Sequence, residues 1–599
     1  VRLKVRWLLL LTLHAGLCAA VSADVEVRPP FGDNMVLQRG MPIPVWGRAE
    51  PGESVTVELG AGRASTRADA NGDWRVALPA QEAGGPLSLE VRGGNTVTFD
   101  NVLIGDVWVC SGQSNMAWPA AASNNGAEEV AAARHPEIRL FTVAQRVAQE
   151  PIREVHGWWV ECSPRTVGSF SAVGYFFGRH LRQELEVPIG LINSSWGGTP
   201  AESWTPREVL AADEDFRPIL TRHEQALANF PLAAEQYEQK VREWEERAYF
   251  AEPPNTGLKL GWAKAELDDS DWQEIELPVV WERTGLNVDG VVWFRKEVTV
   301  PPAWSGRDLE LSLGGIDDTD VTYFNGVEVG RTGTDVEGFW QVPRTYAVPG
   351  KLVKPGLAVI AVRAFDRWQD GGFRGAPEQM SLAPKGGGPV ATVPLAGAWR
   401  YKLGEHREQP TELPPRPAQP RGPDHPYSPA GLYNAMIHPL IPYGIKGAIW
   451  YQGESNAGRA YQYRKLFPAM IRSWRADWGQ GDFTFLFVQL ANYMAVQQQP
   501  VERASWPELR EAQLMTLELA NTGMAVIIDI GDADDIHPRN KQDVGKRLAL
   551  AALAVAYGRD LVCSGPIYDH MEVQGNRAVL SFEHIGGGLV ADGGSLKGF

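Results

Sequence analysis

The sequence predicts an α/β domain interrupted by an inserted all-β domain and flanked by further β segments. Apolar strand-like runs breaking into polar turns alternate with helical stretches over 103–254, and the same texture returns over 431–559. Between them, residues 255–408 read as short strands separated by Gly, Asp and Pro turns. A chain of 599 residues at 44% hydrophobic composition also exceeds a single core, so several domains are expected.

Residues 1–23 read as a secretory signal peptide. Arg2, Lys4 and Arg6 precede an apolar run from Trp7 to Leu13, and Val21-Ser22-Ala23 offers a small-x-small cleavage site. The run is too short to span a bilayer as a retained helix, and Leu17 before Cys18 departs from a lipid-attachment box. The expected location is periplasmic or secreted. Removal of this leader takes away three basic and no acidic side chains, moving the net charge from −16 to −19. So acidic a protein has little affinity for nucleic acid or anionic membrane, and neither is expected as a partner. Cys110, Cys162 and Cys563 then remain, enough for one internal disulfide of unread pairing.

Residues 24–102 alternate β runs and turns (Ser54–Leu59, Trp74–Leu78, Leu87–Val91), as in a small N-terminal β-sandwich. The first α/β half, 103–254, carries a strand at Val107–Cys110, helices near Gly126–Arg134 and Tyr175–Glu186, a strand over 188–193, and a charged helical stretch from Pro206 to Arg247. In 255–408 the runs Trp293–Val298, Leu309–Leu313, Val321–Val327 and Val359–Arg363 fit an all-β jelly roll, and Asn325-Gly326 is a tight hairpin signal. Pro-rich 409–430 is a semi-rigid linker. The second half, 431–559, contains helices at Ala460–Asp477, Pro507–Ala520 and Lys541–Tyr557, with strands at Phe483–Val488 and Met524–Ile530. A β segment, 560–599, is still running where the chain stops at Phe599.

Four strands end in turns that carry chemistry. Val107–Cys110 breaks into Ser111-Gly112-Gln113-Ser114-Asn115, and Leu191-Ile192-Asn193 runs into Trp196-Gly197-Gly198-Thr199. Ala448–Tyr451 ends in Gln452-Gly453-Glu454-Ser455-Asn456, and Met524–Ile530 is followed by Gly531-Asp532-Ala533-Asp534-Asp535-Ile536-His537. In an open α/β sheet the carboxyl ends of strands line one crevice, so these turns are expected to converge. Ester hydrolysis by serine needs this set: a nucleophile, a base, an orienting carboxylate and N–H donors for the oxyanion.

These four blocks resemble those of the sialate O-acetylesterase family, carbohydrate O-acetylesterases of SGNH fold. The resemblance implies an SGNH-hydrolase-like three-layer domain, split by a β jelly roll similar to galactose-binding-like modules, with a further β segment beyond Phe599. It implies Ser114 as nucleophile, His537 as general base and Asp534 as the orienting carboxylate, with Asp535 as its competitor. For the oxyanion it implies the Ser114 backbone N–H, a backbone N–H of Gly197 or Gly198, and the Gln452 side chain, with Asn456 as substitute. No cofactor and no metal are expected, and the expected partner is an acetylated carbohydrate. Sialic acid is the implied substrate. Acetylated plant polysaccharide (xylan or xyloglucan) is the alternative, and a non-catalytic carbohydrate-binding protein the alternative of another class.

Other readings of the same residues stay open. Asp529, Asp532, Asp534 and Asp535 also fit a calcium loop or the acidic cap of the following helix, although the loop lacks the glycine and glutamate of an EF-hand. Arg539 and Lys541 are the candidates for holding an anionic sugar near His537, or are solvated helix-start residues. His438 is the outside candidate for the base. The tryptophans are either core or sugar platforms.

Overall fold

The computed structural model describes residues 24–386, 392–410, 412, 415–499, 501–591 and 594. The expected signal peptide and the last five residues lie outside them. Packing divides the chain into two compact units, 1–230 with 421–599, and 231–420.

The first unit is built on a seven-strand path. Its strands are β1 (Thr96–Gly112), β2 (His135–Thr142), β3 (Trp159–Cys162), β4 (Ile189–Ser195), β5 (Gly447–Tyr451), β6 (Thr484–Val488) and β7 (Thr522–Ala525). Their order is β7-β6-β5-β1-β4-β2-β3, parallel throughout except for the antiparallel edge strand β3. Parallel strands buried on both faces read as continuous apolar runs, as β5 (GAIWY) and β6 (TFLFV) do.

Alternation along each strand sends side chains to opposite faces. Trp108 of β1 meets Phe177 of α2 (Ala172–Leu185) edge-on at 5.0 Å. On the other face, Phe485 and Phe487 of β6 and Trp450 of β5 pack against Phe467 and Trp474 of α4 (Ala460–Trp478). Helices therefore cover both faces. The remaining helices used below are α1 (Ser114–Ala117), α3 (Arg217–Ala248), α5 (Ser505–Met515) and α6 (Lys541–Val555).

β1 is longer than the expected strand at 107–110. Its first half pairs antiparallel with Gly84–Arg92 in the N-terminal β region, and its second half is the centre of the parallel sheet. β7 is shorter than the expected Met524–Ile530, because the backbone leaves the sheet after Ala525 and Ile528 is 50% exposed. That early exit starts the long loop that carries His537.

The 231–420 unit contains two antiparallel sheets. Trp281, Phe294, Ile316, Phe324, Ile360, Phe373 and Trp399 fill the core between them. The Asn325-Gly326 turn joins its flanking strands with positive φ at both residues, as its sequence predicts. Trp281, Trp293, Trp304 and Trp399 are buried, so these rings are core.

Candidate active site

The nucleophile candidate stands at the carboxyl end of the central strand. Gly112, the last residue of β1, has φ +137°, and a Cβ there would lie 2.2 Å from Tyr451 O of neighbouring β5. Only glycine permits that approach. The Gln113 N–H then donates to Tyr451 O (2.9 Å), and the chain turns into the single turn of α1 with Ser114 first.

His537 reaches Ser114 from the loop beyond β7. Its Nε2 lies 2.9 Å from Ser114 Oγ, across 423 residues of sequence. Trp118 stacks on the imidazole at 5.2 Å with planes 17° apart. The loop itself is held by Asn115, whose Nδ2 donates to Ile536 O (3.0 Å) and to Glu454 Oε1 (2.6 Å). Asn115 Oδ1 in turn accepts from the Lys541 ammonium at the start of α6. One amide therefore ties the turn after β1, the turn after β5 and the histidine loop together.

Asp534 is not the carboxylate beside the ring. It is exposed, and its N–H donates to Asp532 Oδ1 (2.9 Å), a short turn that directs its side chain outward. Asp535 Oδ1 accepts the His537 N–H (2.8 Å) and lies 3.6 Å from His537 Nδ1. At that distance it acts on the ring by charge rather than through a formed hydrogen bond. Asp535→Asn is accordingly expected to lower kcat on the order of 10- to 100-fold, less than a fully bonded partner would command. Asp534→Asn should leave kcat unchanged; parallel initial-rate measurements on the two variants decide between them.

The glycine pair comes from the adjacent strand β4. A Cβ on Gly197 would sit 3.4 Å from Ser114 Cβ, so this backbone faces the serine directly. Gly198 has φ +75°, and the Trp196 N–H donates to Gly112 O (3.1 Å), locking the two turns together.

Gln452 departs from the expected oxyanion role. It is fully buried; its Nε2 donates to Asn456 Oδ1 (2.6 Å) and Thr199 O (3.3 Å), and its Oε1 accepts from Tyr463 (2.9 Å). Asn456 Oδ1 accepts from Ala201 N (2.9 Å) and its Nδ2 donates to Glu202 Oε2 (2.9 Å). Both amides brace the β5 turn against the β4 turn, and Gln452, with both amide N–H bonds made, has none to spare for an oxyanion.

Lys541 is not a surface cation. It is fully buried, with its ammonium over the rings of Trp118 (5.8 Å) and Tyr451 (5.4 Å), whereas Arg539 is exposed. Burial pushes the Lys541 ammonium down to about 7 and holds the Glu454 carboxyl above its usual value. His537 is held below the usual histidine value, first by burial, with the Lys541 charge acting in the same direction and Asp535 opposing. The imidazole is therefore neutral, and able to accept a proton, at neutral pH.

The acid limb of a kcat/KM profile should therefore fall at a pH below the ordinary histidine pKa of about 6.5. Replacing Lys541 with Met removes a charge that favours the neutral ring, so that limb should move to higher pH. A pH–rate series on both proteins reads the shift, and an unmoved or lowered limb would contradict it.

Asn115, Glu454, Trp118 and Lys541 carry roles that motif reading did not assign. Lys541 had one signal: a cation in the first turn of a helix opposes the helix dipole, so its position there calls for another partner. His438 is structural, with its Nδ1 on Ile152 O at 2.9 Å. Asp529 is paired with Arg547 (2.6 and 2.7 Å), apart from the other acidic residues of its loop. Cys110, Cys162 and Cys563 are unpaired.

The family model described as carbohydrate esterase, sialic acid-specific acetylesterase, matches residues 104–242 and 427–554. The rat (Rattus norvegicus) sialate O-acetylesterase is 26% identical over 580 residues, covering 90% of this chain and 75% of that protein. The human (Homo sapiens) sialate O-acetylesterase is 24% identical over 594 residues, covering 92% and 75%. Among solved structures, a carbohydrate acetylesterase from Xanthomonas citri aligns with a TM-score of 0.55 at 29% identity, covering 93% of this chain and 81% of that one.

Proposed function

We propose, from the match of both halves of the α/β domain to the family model of sialic acid-specific acetylesterases, a serine esterase that removes O-acetyl groups from sialic acids through an acyl-enzyme. It is a carboxylic ester hydrolase acting on acetylated carbohydrate. The observation that carries the serine reading is the 2.9 Å contact between Ser114 Oγ and His537 Nε2 at the carboxyl ends of the parallel strands.

His537 Nε2 takes the Ser114 proton as Oγ attacks the acetyl carbonyl carbon. The backbone N–H groups of Ser114 and of Gly197 or Gly198 hold the tetrahedral oxyanion, and Asp535 steadies the imidazolium. His537 then returns the proton to the departing sugar oxygen, leaving acetyl on Ser114. Water deprotonated by the same nitrogen attacks the acyl carbon, and acetate leaves as Oγ recovers its proton. Trp118 and the Asn115 hub keep the imidazole in place through both half-reactions.

The surrounding fold reads as an SGNH-hydrolase-like three-layer domain. Its halves, 103–254 and 431–559, flank a galactose-binding-like jelly roll inserted over 255–408. The basic-then-apolar character of residues 1–23 supports a periplasmic or secreted protein, and among the described residues no helix is long and apolar enough to cross a membrane.

The test is acetate release from O-acetylated sialic acid and from O-acetylated xyloglucan. Turnover of the sialic acid ester is the expected result. Turnover of xyloglucan alone would move the substrate to plant polysaccharide. Failure on both, with a simple aryl acetate also untouched, would leave a carbohydrate-binding protein.

A further inference from the structure

Next to the glycine pair lies a cleft of about 460 Å³. Arg222 and His223 of α3 form one wall; Arg421, His425 and Tyr427 form another; Arg459, Ser455 and Glu202 close it. The cleft adjoins the esterase centre through the glycines. A Cβ on Gly198 would lie 3.3 Å from Tyr427 Oη, and Ser455 Oγ donates to Gly198 O at 2.6 Å. Tyr427 Oη is thus no more than about 14 Å from the Ser114 side chain, within the length of a nine-carbon sugar acid and its ester.

The charge of this cleft opposes that of the protein. The whole chain carries −16, yet three arginines line the cleft against one carboxylate. Glu202 is already committed to Arg459 and Asn456. Among the described residues neither Arg222 nor Arg421 has a carboxylate partner; Arg421 lies over the Tyr427 ring at 4.4 Å, which fixes its guanidinium at the cleft wall. His223 Nε2 is buried without a hydrogen-bond partner. His223 and His425 are both held below the usual histidine value, first by burial and then by Arg207 and Arg421 respectively, so they add hydrogen-bonding groups without competing charge at neutral pH.

Two cleft arginines without a carboxylate partner among the described residues match a carboxylate. We infer that this cleft is an anion subsite, in which Arg421 and Arg222 take the carboxylate of a sugar acid whose acetyl ester is presented to Ser114. The inference rests on Ser114 being the esterase nucleophile. It moves the source of substrate-facing positive charge away from Lys541, which is buried, to the cleft next to Gly198.

Calorimetric titration of N-acetylneuraminate and of its methyl ester into the protein tests the subsite without reading turnover, so its failure is distinguishable from failure of the esterase reading. The acid is expected to bind at least about 10-fold more tightly than the methyl ester, as a charge-assisted hydrogen-bonded pair predicts. Arg421→Gln and, on the opposite wall, Arg222→Gln should each weaken the acid and leave the methyl ester and aryl acetate turnover unchanged. Equal binding of acid and ester, absence of saturable acid binding, or wild-type acid affinity in both variants would overturn the subsite.

Discussion

Ser114→Ala is expected to lower kcat by about 10⁴- to 10⁶-fold with the fold intact, because no other hydroxyl can take its place. Ser111 Oγ is buried within the sheet, and Ser455 Oγ is spent on Gly198 O. Among the described residues only Ser114 Oγ meets an imidazole nitrogen at hydrogen-bonding distance, at 2.9 Å. What activity remains would come from the backbone donors at Ser114 and Gly197 positioning water against a bound ester. Initial rates on an aryl acetate, with circular dichroism as the folding control, measure the loss. A variant keeping a tenth or more of wild-type turnover is incompatible with a serine nucleophile, for which the loss runs to about four orders of magnitude.

His537→Ala should be about as severe, because the serine and the imidazole act as one unit. Without Nε2 the hydroxyl keeps its proton, and neither the sugar oxygen nor the attacking water has a proton partner. The double variant Ser114→Ala/His537→Ala should then be no slower than the worse single variant. Losses that multiply would mean that the two groups act independently, contrary to their contact. The imidazole on Ser114 Oγ is that of His537, whereas His438 is bonded through Nδ1 to Ile152 O.

The strand ends were legible because buried parallel strands leave an unmistakable sequence: continuous apolar runs cut off by glycine and small polar residues. That pattern marked the turns that carry Ser114 and Gly197, while the roles given to Ser114, Gly197 and His537 came from the family resemblance. Asp534 was the wrong neighbour for a reason no local pattern contains. The Asp532–Asp534 turn and the Asp535–His537 turn together decide which of two adjacent carboxylates faces inward. Gln452 was misread for a similar reason. Its amide is captured by Tyr463 on α4 and by Asn456, contacts set by how the helix packs on β5. The overlong reading of β7 reflects an apolar run, Val526 to Ile528, that continues past the point where the backbone leaves the sheet. The Asn115 hub needs three separate loops at one point, so its members looked like ordinary turn residues.

The most direct test of the central claim is covalent labelling with an organophosphorus ester, read by intact mass and peptide mapping. The arrangement predicts one adduct, on Ser114, formed rapidly in the wild type and lost in His537→Ala. Absence of an adduct, or an adduct carried by Ser111 or Ser455, would contradict a Ser114 nucleophile activated by His537.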